Sequence, residues 1–157
     1  MRRKTKESIL MTITGVAFFL NFAVINSFPP GIEELMVAGY AILGIGSVFF
    51  ILSIFTLRSK GTDNIAESGI YGVVRHPMYL GAMVMFLSHL FFNQHWIVAV
   101  SSVAAIVSIY ETMRIEDQSN VEKFRDDYKR YMEKVPRANP VLGILRLIRE
   151  RKRTASQ

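Results

Sequence analysis

No cysteine occurs in the 157 residues, which excludes a disulfide framework, a thiolate metal site and a cysteine nucleophile. Lysine and arginine are missing from residues 7–57 and again from 76–113, the stretches that hold the long apolar runs. A cleavable secretory leader is not indicated either. Met1-Arg2-Arg3-Lys4 precedes an apolar run, but Asn21, Asn26 and the bulky residues up to Phe28 offer no small-x-small cleavage site, so a retained first span is expected. Gly44-Ile45-Gly46 lacks the preceding soluble strand that a nucleotide loop needs. What the chain does have is apolar side chains, 50% of its residues, gathered into runs. A single domain of this kind, residues 1–157, buries its core largely in lipid and is expected to be a polytopic membrane protein.

The runs predict an all-α fold with four transmembrane helices over about 9–28, 35–57, 78–92 and 96–110, followed by a cytoplasmic helical segment over 117–153. Pro29-Pro30-Gly31 breaks the first run from the second, with Glu33 and Glu34 in the break. Gly39 and Gly46 are seven residues apart and therefore share one face of the second helix, where small residues let another helix approach closely. A polar loop of 19 residues, 58–76, follows and is too long to be mere connection in so small a protein. The third and fourth runs, joined by a turn at Asn93-Gln94-His95, are each 15 residues, about 22 Å against a hydrocarbon core of about 30 Å. Flanking polar turns, 69–77 below the third run and Glu111 to Glu116 below the fourth, are expected to complete the crossing.

All 19 basic residues lie before residue 7, between 58 and 75, or from 114 onward, three places that four spans put on one side of the membrane. The positive-inside rule makes that side, and both termini, cytoplasmic, as for a protein of a prokaryotic inner membrane. The net charge of +6 then belongs to a face near anionic lipid and not to a nucleic-acid surface.

Beyond the fourth run, Val121, Phe124, Tyr128, Tyr131 and Val135 recur at helical spacing along a charged segment, so a helix from Gln118 to Lys134 should lie against an apolar surface. Pro136 stops it. Pro140 opens an amphipathic piece, Val141 to Ile148, before a basic tail, Arg149 to Arg153, and this reads as an interfacial helix held by its arginines; Thr154 to Gln157 are expected to fray.

The most informative stretch is Gly69-Ile70-Tyr71-Gly72-Val73-Val74-Arg75-His76-Pro77-Met78-Tyr79-Leu80-Gly81. It crowds polar groups onto the start of a membrane helix, where they are costly and mark function. Pro77 biases the residue before it away from the helical region, so Arg75 and His76 should sit on an irregular turn and converge with Tyr79 one helical turn in. Arg75 and Tyr79 alone would read as interfacial anchors.

Gly69-x-Tyr71, Arg75-His76-Pro77-x-Tyr79-x-Gly81, Glu116-Asp117, Phe124, Tyr128, Tyr131 and Val135-Pro136-Arg137 together resemble the isoprenylcysteine carboxyl methyltransferase family with its prokaryotic and phospholipid-methyltransferase relatives. The resemblance covers roughly residues 58–140 and implies S-adenosyl-L-methionine as cofactor, bound between the last two membrane helices and the C-terminal segment. Carried over by position, it implies cofactor contacts from Tyr71, His76, Pro77, Met78 and Tyr79, from Asp63, Asn64, Ile65 and Ala66 in the place of a short upstream segment, and from Glu116. Asp117 replaces the family's second glutamate with a shorter reach, and Arg125 stands where the family usually has glycine.

The cofactor's chemistry gives these residue types their own reasons. A carboxylate needs a donor such as Arg75 or His76, an ammonium needs an acid such as Glu116, and cations favour aromatic faces such as Tyr71, Tyr79 or Tyr128. Direct displacement needs alignment and no protein nucleophile. Glu111, with Arg114 three residues on, reads equally as a substrate-facing catalytic base and as an i,i+3 ion pair. Three functions stay open at this point. One is a membrane methyltransferase with a lipophilic acceptor (a prenylcysteine carboxylate, a phospholipid amine or a small thiol). The others are a dinucleotide-dependent reductase and a non-enzymatic scaffold in which Arg75, His76 and Glu116 form a buried ion cluster.

Overall fold

A computed structural model describes residues 2–60 and 64–154. The described residues form α1 (Arg3–Ser27), α2 (Leu35–Lys60), a 3₁₀ turn (Gly69–Gly72), α3 (Pro77–Phe92), α4 (Trp96–Lys134) and α5 (Pro140–Thr154), with no strand among them. Three of these helices, α1, α2 and α4, are long and apolar enough to cross a membrane. The fourth apolar helix, α3, has 16 residues, about 24 Å of rise. Large apolar side chains on the outside, Phe19 at 71% and Val37 at 76% exposure among them, require a lipid surround and not water.

The helices run further than the apolar runs. α1 begins at Arg3 and not near residue 9, because nothing in Lys4-Thr5-Lys6-Glu7-Ser8 breaks a helix. The polar turn expected at Glu111 to Glu116 is helix, since neither glycine nor proline interrupts α4 between Trp96 and Lys134. The helix expected from Gln118 is therefore divided at Arg125, whose φ of 54° and ψ of −127° leave the helical region: its first residues continue the apolar helix, and the rest of lower α4 is a second helical piece beyond this kink. The basic stretch Arg149 to Arg153 continues α5, its last three residues in the final turn, and is not a tail.

Packing follows the glycines. α2 lies along α3 and α1 along α4, with α3 and α4 joined in between. Gly46 and Gly81 make the first contact: a β-carbon at Gly81 would fall 2.7 Å from the Gly46 carbonyl oxygen and 2.8 Å from the Phe50 amide nitrogen. Ala17, Phe86, Ala105, Ile109 and Met113 fill the core between α1, α3 and α4. Further along the same helices, fully buried Asn21 donates to Ser102 Oγ (2.8 Å) and to His89 Nδ1 (3.0 Å) and accepts from Ser101 Oγ. In a membrane no water would replace these bonds, so they pin α1 to α3 and α4. The two loops at this end also interlock, Asn93 Nδ2 donating to Phe28 O (2.9 Å) and Ile32 N to Gln94 Oε1 (3.0 Å). At the other end Lys6 pairs with Glu111 (3.1 Å) and Arg3 with Glu122.

Candidate active site

The site is built where the lower half of α4 meets the segment before α3. Gly69 has φ of +60°, a conformation that favours glycine, and opens the 3₁₀ turn that carries Tyr71. Pro77 occupies the first turn of α3, where its missing N–H costs nothing, and His76 before it is held out of the helix at φ −124°, ψ 59°. That turn is clamped by the chain beyond α4. Arg75 N donates to Pro136 O (3.0 Å), His76 N to Arg137 O (3.2 Å), and Tyr131 Oη to Tyr71 O (2.6 Å). The stripe on lower α4 thus packs onto the segment before α3, with Tyr128, Tyr131 and Val135 buried together and Ile65 against them.

The centre of the polar site is Asp117, only 3% exposed. Its Oδ1 accepts from His76 Nε2 (2.7 Å) and Tyr128 Oη (2.9 Å), while its Oδ2 accepts from Arg137 Nε (2.7 Å) and lies 3.5 Å from Arg75 Nη2. An ionised carboxylate only accepts, so Nε2 is the protonated nitrogen of His76 in this pair. Burial alone pushes the Asp117 carboxyl up, but the His76 ring and the guanidiniums of Arg137 and Arg75 outweigh it and hold the group well below the usual carboxylate range. Burial raises the phenols around it: Tyr71 is pushed up to about 12, and Tyr128 and Tyr131 are raised further. Arg75 is 8% exposed, and its Nε and Nη1 are buried without a hydrogen-bond partner. Three N–H donors of a guanidinium left so, one on Nε and two on Nη1, are an open demand for an acceptor.

A cavity of about 380 Å³ adjoins this cluster, within the ~300–1,000 Å³ range of small-molecule sites. The structure brings Asn64, Ile65, Ala66, Tyr71, Arg75, His76, Met78, Tyr79, Glu116 and Tyr128 together on its wall. Tyr79 Oη donates to Glu116 Oε1 at 3.4 Å. Pro77 is buried behind the wall as the first residue of α3, and Asp63 lies outside the described residues. Glu111 and Arg114, expected as catalytic, are kept apart from the cavity: Glu111 accepts from Arg114 (2.8 Å) and Lys6 (3.1 Å), which hold its carboxyl below the usual range. The ion-pair reading of Glu111 and Arg114 is the one the geometry matches.

Leu57, Asn120 and Lys123, not singled out from the sequence, also line the cavity, as do Phe124 and Tyr131 of the apolar stripe. Asp117 and Arg137 are the larger omission. The ion cluster imagined around Glu116 exists, but its acid is Asp117. Helical phase holds the signal that was missed: Ile109, Met113 and Asp117 are successive i+4 neighbours, and the first two are core.

The sequence model of the family described as phospholipid methyltransferase matches residues 34–127, which spans α2, the 3₁₀ turn, α3 and α4 into its lower part. No curated protein and no solved structure matches the chain.

Proposed function

Because the chain belongs to the phospholipid methyltransferase family, we propose that it is an integral-membrane methyltransferase that uses S-adenosyl-L-methionine in the cavity beside Asp117 and takes a lipophilic acceptor from the bilayer. The observation that carries this reading is that Arg75, with donors left unsatisfied, and the Glu116 carboxylate both line one aromatic-walled cavity. Those groups fit the cofactor. The Arg75 guanidinium suits a carboxylate, Glu116 an ammonium, and Tyr71, Tyr79, Phe124 and Tyr128 the adenine and the sulfonium. When bound, S-adenosyl-L-methionine supplies a methyl group on a positively charged sulfur. The protein's own part is positional. Asp117 holds His76, Arg75 and Arg137 in one arrangement, the stripe of lower α4 closes the cavity on the aqueous side, and Leu57, Ile65 and Met78 make an apolar wall that excludes water. Nothing in this chemistry needs Glu111 or Arg114, and their proposed role is the ion pair.

The same reading proposes four membrane crossings, with α3 as the short one, and both termini cytoplasmic. Two observations support it: the interlocked loops at 28–32 and 93–94 carry no lysine or arginine, and the basic residues gather at the opposite end of the bundle. For the acceptor we propose a phospholipid amine headgroup, which the family match favours. A prenylcysteine carboxylate is the second reading, favoured by the order and spacing of Arg75-His76-Pro77-x-Tyr79 and Glu116-Asp117. Transfer of labelled methyl groups by protein reconstituted in vesicles tests it, with phosphatidylethanolamine in one set and a farnesylated cysteine analogue in another. Label in the first lipid alone supports the amine reading, label in the analogue alone the second, and label in neither contradicts a lipophilic acceptor of these classes.

A further inference from the structure

The helix α5 is bolted to the active-site turn on one face and bare on the other. Gly143 is buried against Val73 so closely that a β-carbon there would overlap the Val73 carbonyl oxygen. One turn further on, Arg146 Nη2 donates to Gly72 O at 3.0 Å. Gly72 and Val73 lie just before Arg75 and His76, so α5 touches the backbone that aims those side chains. At about 100° per residue, Val141, Ile144, Leu145 and Ile148 fall on the face opposite Gly143. They are 63%, 49%, 47% and 46% exposed. No other part of the described chain covers them, and the same helix carries five basic residues, Arg146, Arg149, Arg151, Lys152 and Arg153, against one acid, Glu150.

We infer that α5 is a sensor of anionic lipid, lying in the headgroup region with its apolar face in the acyl boundary, and that its docking there sets the order of the Gly72–His76 turn. The occupant follows from charge and place. A bare apolar face flanked by cations matches an anionic bilayer surface, and α5 joins helices that already sit in lipid, on the basic end of the bundle. In a neutral bilayer the arginines have less to hold them, α5 is released more often, and Gly72 O loses the Arg146 bond. The turn then loosens, and Arg75 and His76 lose their fixed aim. Any effect on cofactor affinity rests on the function proposed above, whereas the coupling of α5 to the turn does not.

Hydrogen exchange on the full-length protein without cofactor separates the two. Protein is reconstituted in vesicles of phosphatidylcholine alone and of equal parts phosphatidylcholine and phosphatidylglycerol. The expected result is that amides of α5 and of Val73 to His76 exchange several-fold more slowly in the anionic vesicles, and that added salt reverses this. A combined Arg149→Glu, Arg151→Glu, Lys152→Glu, Arg153→Glu variant should show no slowing in the anionic vesicles, exchanging there at the neutral-vesicle rate or faster because the reversed charges are repelled. Gly143→Leu, which forces α5 off Val73, should keep the slowing in α5 and lose it in the turn. Anionic slowing that survives the fourfold charge reversal would overturn the assignment of lipid to this helix, and slowing confined to α5 in the unaltered protein would overturn the coupling. Protection equal in both vesicles but rising with protein density would assign the apolar face to a second copy of the chain and overturn the proposal as well.

Discussion

His76 and Asp117 are 41 residues apart in the chain and meet at 2.7 Å, in a site where both are almost wholly buried. One stands at the entry to α3 and the other in lower α4, so this single hydrogen bond ties the turn to the helix that closes over it. Three cationic or protonatable groups share the carboxylate with one phenol, which makes Asp117 the keystone of the site's order.

Asp117→Asn should therefore destabilise the protein by about 3–5 kcal/mol, the scale for breaking a buried pair from one side, because Arg75 would stay buried, and Arg137 half-buried, without their counter-charge. Thermal unfolding in detergent would register the loss. Glu116→Gln, whose partner Tyr79 is 3.4 Å away, should change stability by well under that amount.

Acid and alkali should act on different groups. The Asp117 carboxyl is depressed in the fold, so its contribution is present above the ordinary aspartate value of ~3.9 and is lost as pH falls from about 4 toward the lower folded value. Tyr71 is raised to about 12, so its contribution is complete below about pH 10 and is lost as pH rises through about 12. Unfolding midpoints across pH, with tyrosinate absorbance followed at the alkaline end, would show both limbs. Asp117→Asn should shrink the acid one and leave the part that other depressed carboxylates such as Glu111 supply.

Gly81→Ala should cost about 1–3 kcal/mol, since the added carbon meets backbone atoms of α2 that no rotamer change can move. Gly44→Ala is the control in the same helix pair's neighbourhood. A β-carbon there meets nothing within 4 Å, and no loss is expected in the same unfolding assay.

Arg125→Gly should stabilise the protein by about 1–2 kcal/mol, the cost of a left-handed conformation for a residue with a side chain. Unfolding midpoints of the two proteins measured side by side give the sign directly.

The apolar runs made the helical, lipid-embedded class legible, and the proline-flanked polar motif made the cavity wall legible, because each rests on local rules. The extent of α4 was hidden because its composition changes from apolar to charged without a helix breaker, and a helix continues through such a change. Arg125 shows the reverse, a kink in a residue type that gives no local sign of one. The Asp117 hub was hidden for a different reason: its partners come from positions 75, 76, 128 and 137, and only the packing of three segments brings them together. Glu111 stayed open between two readings because an acid near the inner end of a span looks the same whether it faces substrate or only the Lys6 and Arg114 it pairs with.

The most direct test of the proposed function is calorimetric titration of S-adenosyl-L-methionine into the purified full-length protein, beside Arg75→Met and a reduced nicotinamide cofactor as controls. Saturable binding of S-adenosyl-L-methionine is expected, weakened about tenfold or more in Arg75→Met by loss of a charged hydrogen bond of ~1.5–3 kcal/mol, with no heat from the nicotinamide. Folded wild-type protein that takes up the nicotinamide cofactor and not S-adenosyl-L-methionine, or an Arg75→Met variant that binds S-adenosyl-L-methionine with unchanged affinity, would contradict the site as assigned.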